Sequence, residues 1–219
     1  MTRMDRRRFA HSAAGLASMA ALAGVALPLR ARAQPVEGDE YKTLARPLAV
    51  AGNGKIEVIE FFWYGCPHCF AFEPALEAWV ARLPADVNFR RVPIGFTALN
   101  EIHQRIYYTW EALGLVEAMH VKTFTRFHVQ HKPIDSLGDM IVFAQDNGLD
   151  TARVKAAWDS FSVVGRCNQA KRLEDGYDID QTPEMAIQGR FTAVARPEAG
   201  PTSVLVTTDW LVDRIRHGG

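Results

Sequence analysis

The sequence predicts an α/β fold, a mixed central sheet flanked by helices and interrupted by an all-helical insert, on three observations. A buried apolar run from Ile56 to Phe62 leads directly into a helical segment. From Ala98 to Asp175 apolar residues then recur at helical spacing. Strand character returns in two short runs, Met185 to Ile187 and Phe191 to Val194, before a closing helix.

The first 33 residues read as an export signal. Arg6-Arg7-Arg8-Phe9 precedes a weakly apolar Ala-rich stretch from Ala13 to Leu29, and Ala31-Arg32-Ala33 is a small-x-small site that would release Gln34. Paired arginines followed closely by Phe fit the twin-arginine variety. The stretch is too short and too weakly apolar for a membrane anchor, so cleavage after Ala33 and export into an oxidising compartment are expected. Beyond it, Tyr41 to Leu44 forms a short extended piece, and Gly52-Asn53-Gly54 a turn. Ile56 to Phe62 is long enough for one buried strand. A helix follows from Cys66 to Leu83, with a kink expected at Pro74, whose ring and missing N–H disturb the preceding turn. Val87 to Val92 is the next strand. Gly114, Pro133, Asn147-Gly148 and Gly165 divide the helical block into four or five helices. Gln188-Gly189-Arg190 is a hairpin turn, and Ser203 to Arg216 the last helix. Residues 34–97 and 176–219 therefore make one unit, with residues 98–175 inserted into it.

Lysine plus arginine and aspartate plus glutamate number 25 each, which argues against nucleic acid or an anionic membrane as the main partner. The apolar fraction of 48% is ordinary for a folded domain. Three cysteines, two of them in one motif, provide no disulfide framework.

That motif, Cys66-Pro67-His68-Cys69, carries the chemistry. A strand feeding a helix that opens at Cys66 places the first sulfur beside unpaired N–H groups, at the positive end of the helix dipole, where a thiolate is favoured. A fall from the free value of about 8.5 to about 4 is worth ~4 kcal/mol at pH 7, on the order of 90 mV of added oxidising power. Pro67 gives up an N–H that the first turn leaves unpaired anyway, and His68 adds positive charge near Cys66. A zinc site needs two more ligands. Cys167 is the only other cysteine, read as a free thiol, and His103, His120, His128 and His131 are scattered through the helical block. Redox exchange by the cysteine pair itself, with neither metal nor cofactor, is the expected chemistry.

Glu57 and Glu60 interrupt the apolar strand on opposite faces, so one faces solvent and the other is partly buried. Phe62 and Phe70 are assigned to packing, and Trp63 and Tyr64 to a surface that meets clients.

A strand, a C-x-x-C helix, a second strand, a helical insert, a hairpin and a closing helix is the layout of an interrupted thioredoxin fold. Together with Gly65 ahead of the motif, Ile59-Glu60-Phe61-Phe62 and Thr182-Pro183, it resembles the DsbA family of periplasmic thiol:disulfide oxidoreductases over nearly all of the chain after the signal. The resemblance implies that Cys66 is the nucleophile and leaving thiolate, Cys69 the resolving partner, and His68 a stabiliser of the thiolate. It places Glu60 beneath the pair as a proton relay for Cys69, with a strand-edge ion pair to Arg91 as the competing account. It implies a cis bond at Thr182-Pro183, with the Thr182 backbone open to an incoming chain. Function then reads as donation of the Cys66-Cys69 disulfide to newly exported proteins, by a monomer reoxidised by a quinone-linked membrane oxidase of the DsbB kind. A reductase or isomerase of the same fold, and a client- or metal-binding module without turnover, are the alternatives. Isomerases of this fold usually carry an N-terminal dimerisation domain, for which Gln34 to Ile56 leaves no room.

Overall fold

The computed structural model describes residues 34–50 and 54–218. The expected export signal and most of the Gly52-Asn53-Gly54 turn lie outside the described residues. Five strands form one sheet: β1 (Tyr41–Thr43), β2 (Ile56–Phe62), β3 (Val87–Pro93), β4 (Glu184–Ile187) and β5 (Phe191–Ala193), in the order β1-β5-β4-β2-β3. The pair β2 and β3 is parallel and the other pairs are antiparallel. Parallel neighbours need a crossover, and α1 (Pro67–Val80) supplies it.

Every residue of β2 is buried, because helices cover both faces of the sheet. On one face Val58, Met185 and Ile187 meet Phe72, Leu76 and Trp79 of α1 and Val204 and Leu211 of α7 (Ser203–Arg216). On the other, Ile59, Phe61 and Ala186 share a core with Ile106, Trp110 and Phe124 of the insert. The insert comprises α2 (Ala98–Ala112), α3 (Val116–His128), α4 (Leu137–Asp146), α5 (Thr151–Trp158) and α6 (Phe161–Tyr177). Polar side chains start four of these five. Thr97 and Asn100 form a capping box on α2, and Ser136, Asp150 and Ser160 accept N–H bonds at the starts of α4, α5 and α6.

Several expectations change. Gly165 does not divide helices; it sits inside α6, whose boundary is set by the Ser160 cap. That helix runs on to Tyr177, past the expected boundary at 175/176, and stops where Asp178 turns left-handed at φ 55°. The first helix ends at Val80 and runs through Pro74 without interruption. Glu57 does not face solvent. With both faces of β2 covered it is 4% exposed, and Arg90 answers it across an ion pair of 3.1 Å. The hairpin forms as expected, with Gln188 and Gly189 both at positive φ. Gly189 has a second reason to be glycine, since a Cβ there would stand 2.3 Å from the carbonyl oxygen of Leu48.

A Cβ at Gly165 meets nothing within 4 Å. Gly165→Ala is therefore expected to stabilise the protein by about 0.5–1 kcal/mol, measured as a raised urea midpoint at unchanged slope.

Candidate active site

The site forms where β2 ends. After Phe62 the chain passes through Trp63, Tyr64 and Gly65 and enters α1 with Cys66 as its N-cap and Pro67 as its first residue. The cap residue is extended (φ −85°, ψ 116°), which turns its sulfur back over the helix start to accept the N–H of Cys69 at 3.4 Å. A cap normally uses a side-chain oxygen; here the acceptor is the sulfur. Both cysteines are thiols in this structure.

The two sulfurs differ in their surroundings. The Cys66 thiol falls to about 5, chiefly through a hydrogen bond from Cys69, against the opposing effect of burial, and with further help from the Thr182 side chain and the N–H groups of Cys69 and His68. Cys69 is pushed well above the ordinary range by burial, by Cys66 and by the charge of Glu60. Against a free thiol at about 8.5, a value of about 5 stabilises the dithiol form by about 3 kcal/mol at pH 7, or ~60 mV. That is less than the expected ~90 mV, because burial of Cys66, 6% exposed, opposes its ionisation.

Residue 68 contributes to the low value through its backbone N–H, while its imidazole is exposed. The bond between Thr182 and Pro183 is cis, and the Thr182 carbonyl accepts the Cys66 S–H at 3.4 Å. Beside them runs a groove of about 420 Å³, lined in part by His68, Gln181, Thr182, Pro183 and Arg196.

Glu60 faces α1 from the middle of β2. Parallel register sets Arg91 of β3 directly beside it, with Nε 3.2 Å from Glu60 Oε2. The ion pair expected as the competing account is therefore present on the edge strand β3, but it is buried: Glu60 is fully covered and the Arg91 side chain is 10% exposed. The same guanidinium donates through Nη2 to Glu73 and Glu77 of α1, at 2.6 Å each. Burial raises Glu60 to about 8 against the pull of Arg91, and Glu73 and Glu77 add to the rise. A carboxyl group that keeps its proton at pH 7 thus lies within electrostatic reach of Cys69.

Tyr64 is not a client contact. It is fully buried, and its hydroxyl bonds His120 Nδ1 at 2.9 Å. Trp63 is half-buried, donating Nε1–H to His103 Nδ1 at 2.6 Å, and its ring crosses the position a Gly65 Cβ would occupy. His128 Nε2 bonds the Tyr64 carbonyl at 2.8 Å and its ring stacks on Phe70. Three histidines read as scattered through the insert thus converge on the segment ahead of the cysteines. The available signal was the spacing of His120, Phe124 and His128, which puts all three on one face of α3. Among the described residues, no group of three or more His, Cys, Asp or Glu side chains is placed to hold a metal ion. Cys167 is a half-buried free thiol of α6, raised to about 11 by burial.

A thioredoxin fold with a C-x-x-C pair at a helix start, one thiol acidified and the other held protonated, defines a thiol:disulfide exchange site. Comparison with known proteins agrees. The family model described as DSBA-like thioredoxin domain matches residues 57–199. A thiol:disulfide interchange protein DsbA of Pseudomonas aeruginosa is 35% identical over 179 residues, covering 82% of this chain and 85% of that protein. One from Azotobacter vinelandii is 37% identical, with 82% and 84% covered. Among solved structures, the crystal structure of Pseudomonas aeruginosa DsbA superposes with a TM-score of 0.80 at 34% identity, covering 84% of this chain and 95% of that one. The oxidoreductase DsbA from Xylella fastidiosa gives a TM-score of 0.78 at 30% identity, covering 85% of this chain and all of that one. The chain belongs to the DSBA-like thioredoxin domain family.

Because folding lowers the Cys66 value, the stability it lends the dithiol form is complete above about pH 8.5 and is lost as pH falls through about 5. Thiolate absorbance should accordingly titrate near pH 5. The stability difference between the reduced protein and Cys66→Ser should grow from pH 5 to 8, and a midpoint above 8 would contradict this assignment.

Proposed function

We propose that this protein thiol:disulfide oxidoreductase works as a donor, passing a Cys66-Cys69 disulfide to reduced cysteines of exported proteins. The observation that carries the direction is the unequal pair of sulfurs, with Cys66 favoured as an anion and Cys69 as a thiol. A client thiolate attacks Cys66 Sγ; the Cys66–Cys69 bond breaks, and its electron pair leaves on Cys69. That buried sulfur takes a proton, for which Glu60 is the nearby source. A second client thiolate attacks the client sulfur of the mixed disulfide and expels Cys66 as a stable thiolate. The client dithiol is oxidised, the Cys66-Cys69 pair is reduced, and no cofactor enters the exchange.

Clients enter along the groove past His68 and Pro183, with Thr182 presenting backbone for an added strand. His68 reinforces the thiolate when protonated, Pro67 starts the helix, and Trp63 supports the segment before the motif. A membrane oxidase of the DsbB kind restores the disulfide in the periplasm, after export and cleavage at Ala33. No helix among the described residues is long and apolar enough to cross a membrane. The acting unit is a monomer.

Equilibration with glutathione tests the direction. The pair is expected to be more oxidising than about −200 mV, the upper end for glutaredoxins, and a value below about −230 mV would make the protein a reductant. Zinc content and insulin reduction separate the donor from a metal carrier and a reductase. Glu60→Gln tests the relay. It is expected to slow release of the Cys69 thiolate several-fold and to remove the pH dependence of that step, whereas an unaltered pH profile would reduce Glu60 to an ion-pair partner of Arg91.

A further inference from the structure

Trp63 and Cys66 are the first and last residues of a β-turn, closed by the Cys66 N–H donating to the Trp63 carbonyl at 3.0 Å. The Trp63 N–H lies close enough to the Cys69 sulfur to favour an anion there. The Trp63 backbone therefore meets both halves of the redox pair. Its indole lies across Gly65, with Cζ2, Cε2 and Cη2 all within 2.7 Å of where a Cβ would stand. Gly65 does not take a left-handed φ, so its missing side chain serves to make room for the ring. The indole N–H in turn donates at 2.6 Å to Nδ1 of His103, a residue of α2 that is 2% exposed.

We propose that His103 is a positioning residue for thiol:disulfide exchange: as the acceptor for the Trp63 indole N–H it fixes the ring across Gly65, and with it the turn that presents Cys66 to an incoming thiolate.

Donor and acceptor chemistry sets the state of the imidazole. An indole N–H can only donate, so His103 Nδ1 must be bare, and the hydrogen of the neutral ring sits on Nε2. Nε2 faces the carboxylate of Asp135 at 3.3 Å, an acceptor, which holds that tautomer in place. Burial keeps His103 below its ordinary range and therefore neutral, the form in which Nδ1 can accept. The indole and imidazole planes lie within 17° of each other, as an in-plane N–H bond requires, and Phe127 of α3 packs at 76° to the imidazole with ring centroids 4.7 Å apart. Both nitrogens of His103 are thus matched and its ring is walled in. Leaving a buried imidazole nitrogen unpaired is costly, so the indole has one favoured setting. His103 comes from α2 and Asp135 from the stretch between α3 and α4, so the helical insert imposes that setting on the segment before the cysteines.

The inference concerns exchange at Cys66 in either direction and does not rest on the donor reading; a reducing wild-type potential would sink that reading and leave this one standing. In the wild-type protein, imidazole 15N spectra should show the His103 hydrogen on Nε2, and hydrogen on Nδ1 overturns the proposal. The Trp63 indole N–H, assigned by its loss in Trp63→Phe, should exchange with water about tenfold faster in His103→Leu. In the same variant the rate constant for reduction of the Cys66-Cys69 disulfide by glutathione should fall on the order of tenfold, in line with a small misplacement of reacting groups. His103→Asn, which sets an amide oxygen where Nδ1 stood, should restore both rates. Trp63→Phe removes the donor and should slow reduction to the same extent, which decides the matter if His103→Leu does not fold. A reduction rate unchanged in Trp63→Phe, or in a folded His103→Leu, sinks the positioning role whatever happens to stability. Slowing that His103→Asn fails to rescue assigns His103 to packing alone and sinks it as well.

Discussion

A helix that opens at Cys66 directs the first N–H groups of α1 at a single sulfur, and the rest of the site follows from that constraint. The extended backbone of the cap turns Sγ back over the helix end, and the cis segment at Thr182 closes the other side. Cys69, one turn further in, lies in the packed interior. One helix start thus supplies two thiols of opposite preference from residues three apart. The asymmetry makes the disulfide a good donor, because attack at Cys66 ends with a sulfur that is stable as an anion.

The buried cluster beneath the pair is the counterpart of that asymmetry. A sulfur that must be a thiol when reduced and is bonded when oxidised needs a proton close by at the moment of exchange. In the proposed relay Glu60 supplies it, since burial raises its pKa against the pull of Arg91. The cluster draws on three separate segments: Glu60 from β2, Arg91 from β3 and Glu73 from α1. Helix α3 adds His120 from the insert, so the insert does more than cover one face of the sheet.

Much of this was legible in the chain. Each strand and helix of the thioredoxin unit lies within a few residues of where periodicity and turn residues placed it, because β2 and β4 at the centre of the sheet are buried throughout and leave little choice of pairing. Boundaries moved where a stronger local signal was passed over. Ser160 starts α6 as a side-chain cap, whereas Gly165 is a helix-interior glycine with room for a methyl group. Glu57 was misplaced because of what alternation leaves out. Alternation along a strand distinguishes its two faces, but whether either face meets water depends on what packs there, and here both are covered.

The sequence by itself determined the cysteine pair, its place at the junction of a strand and a helix, and the order of elements that makes an interrupted thioredoxin fold. These are local properties, set by spacing, by a capping position and by the period of apolar residues. Only the tertiary structure decided that Arg91 sits among three carboxylates, that Thr182 meets Cys66, and that His103, His120 and His128 gather around the segment before the motif. Those contacts join residues far apart in the chain. Their distances come from strand register and from the packing of the insert against the sheet, quantities that no stretch of sequence carries alone.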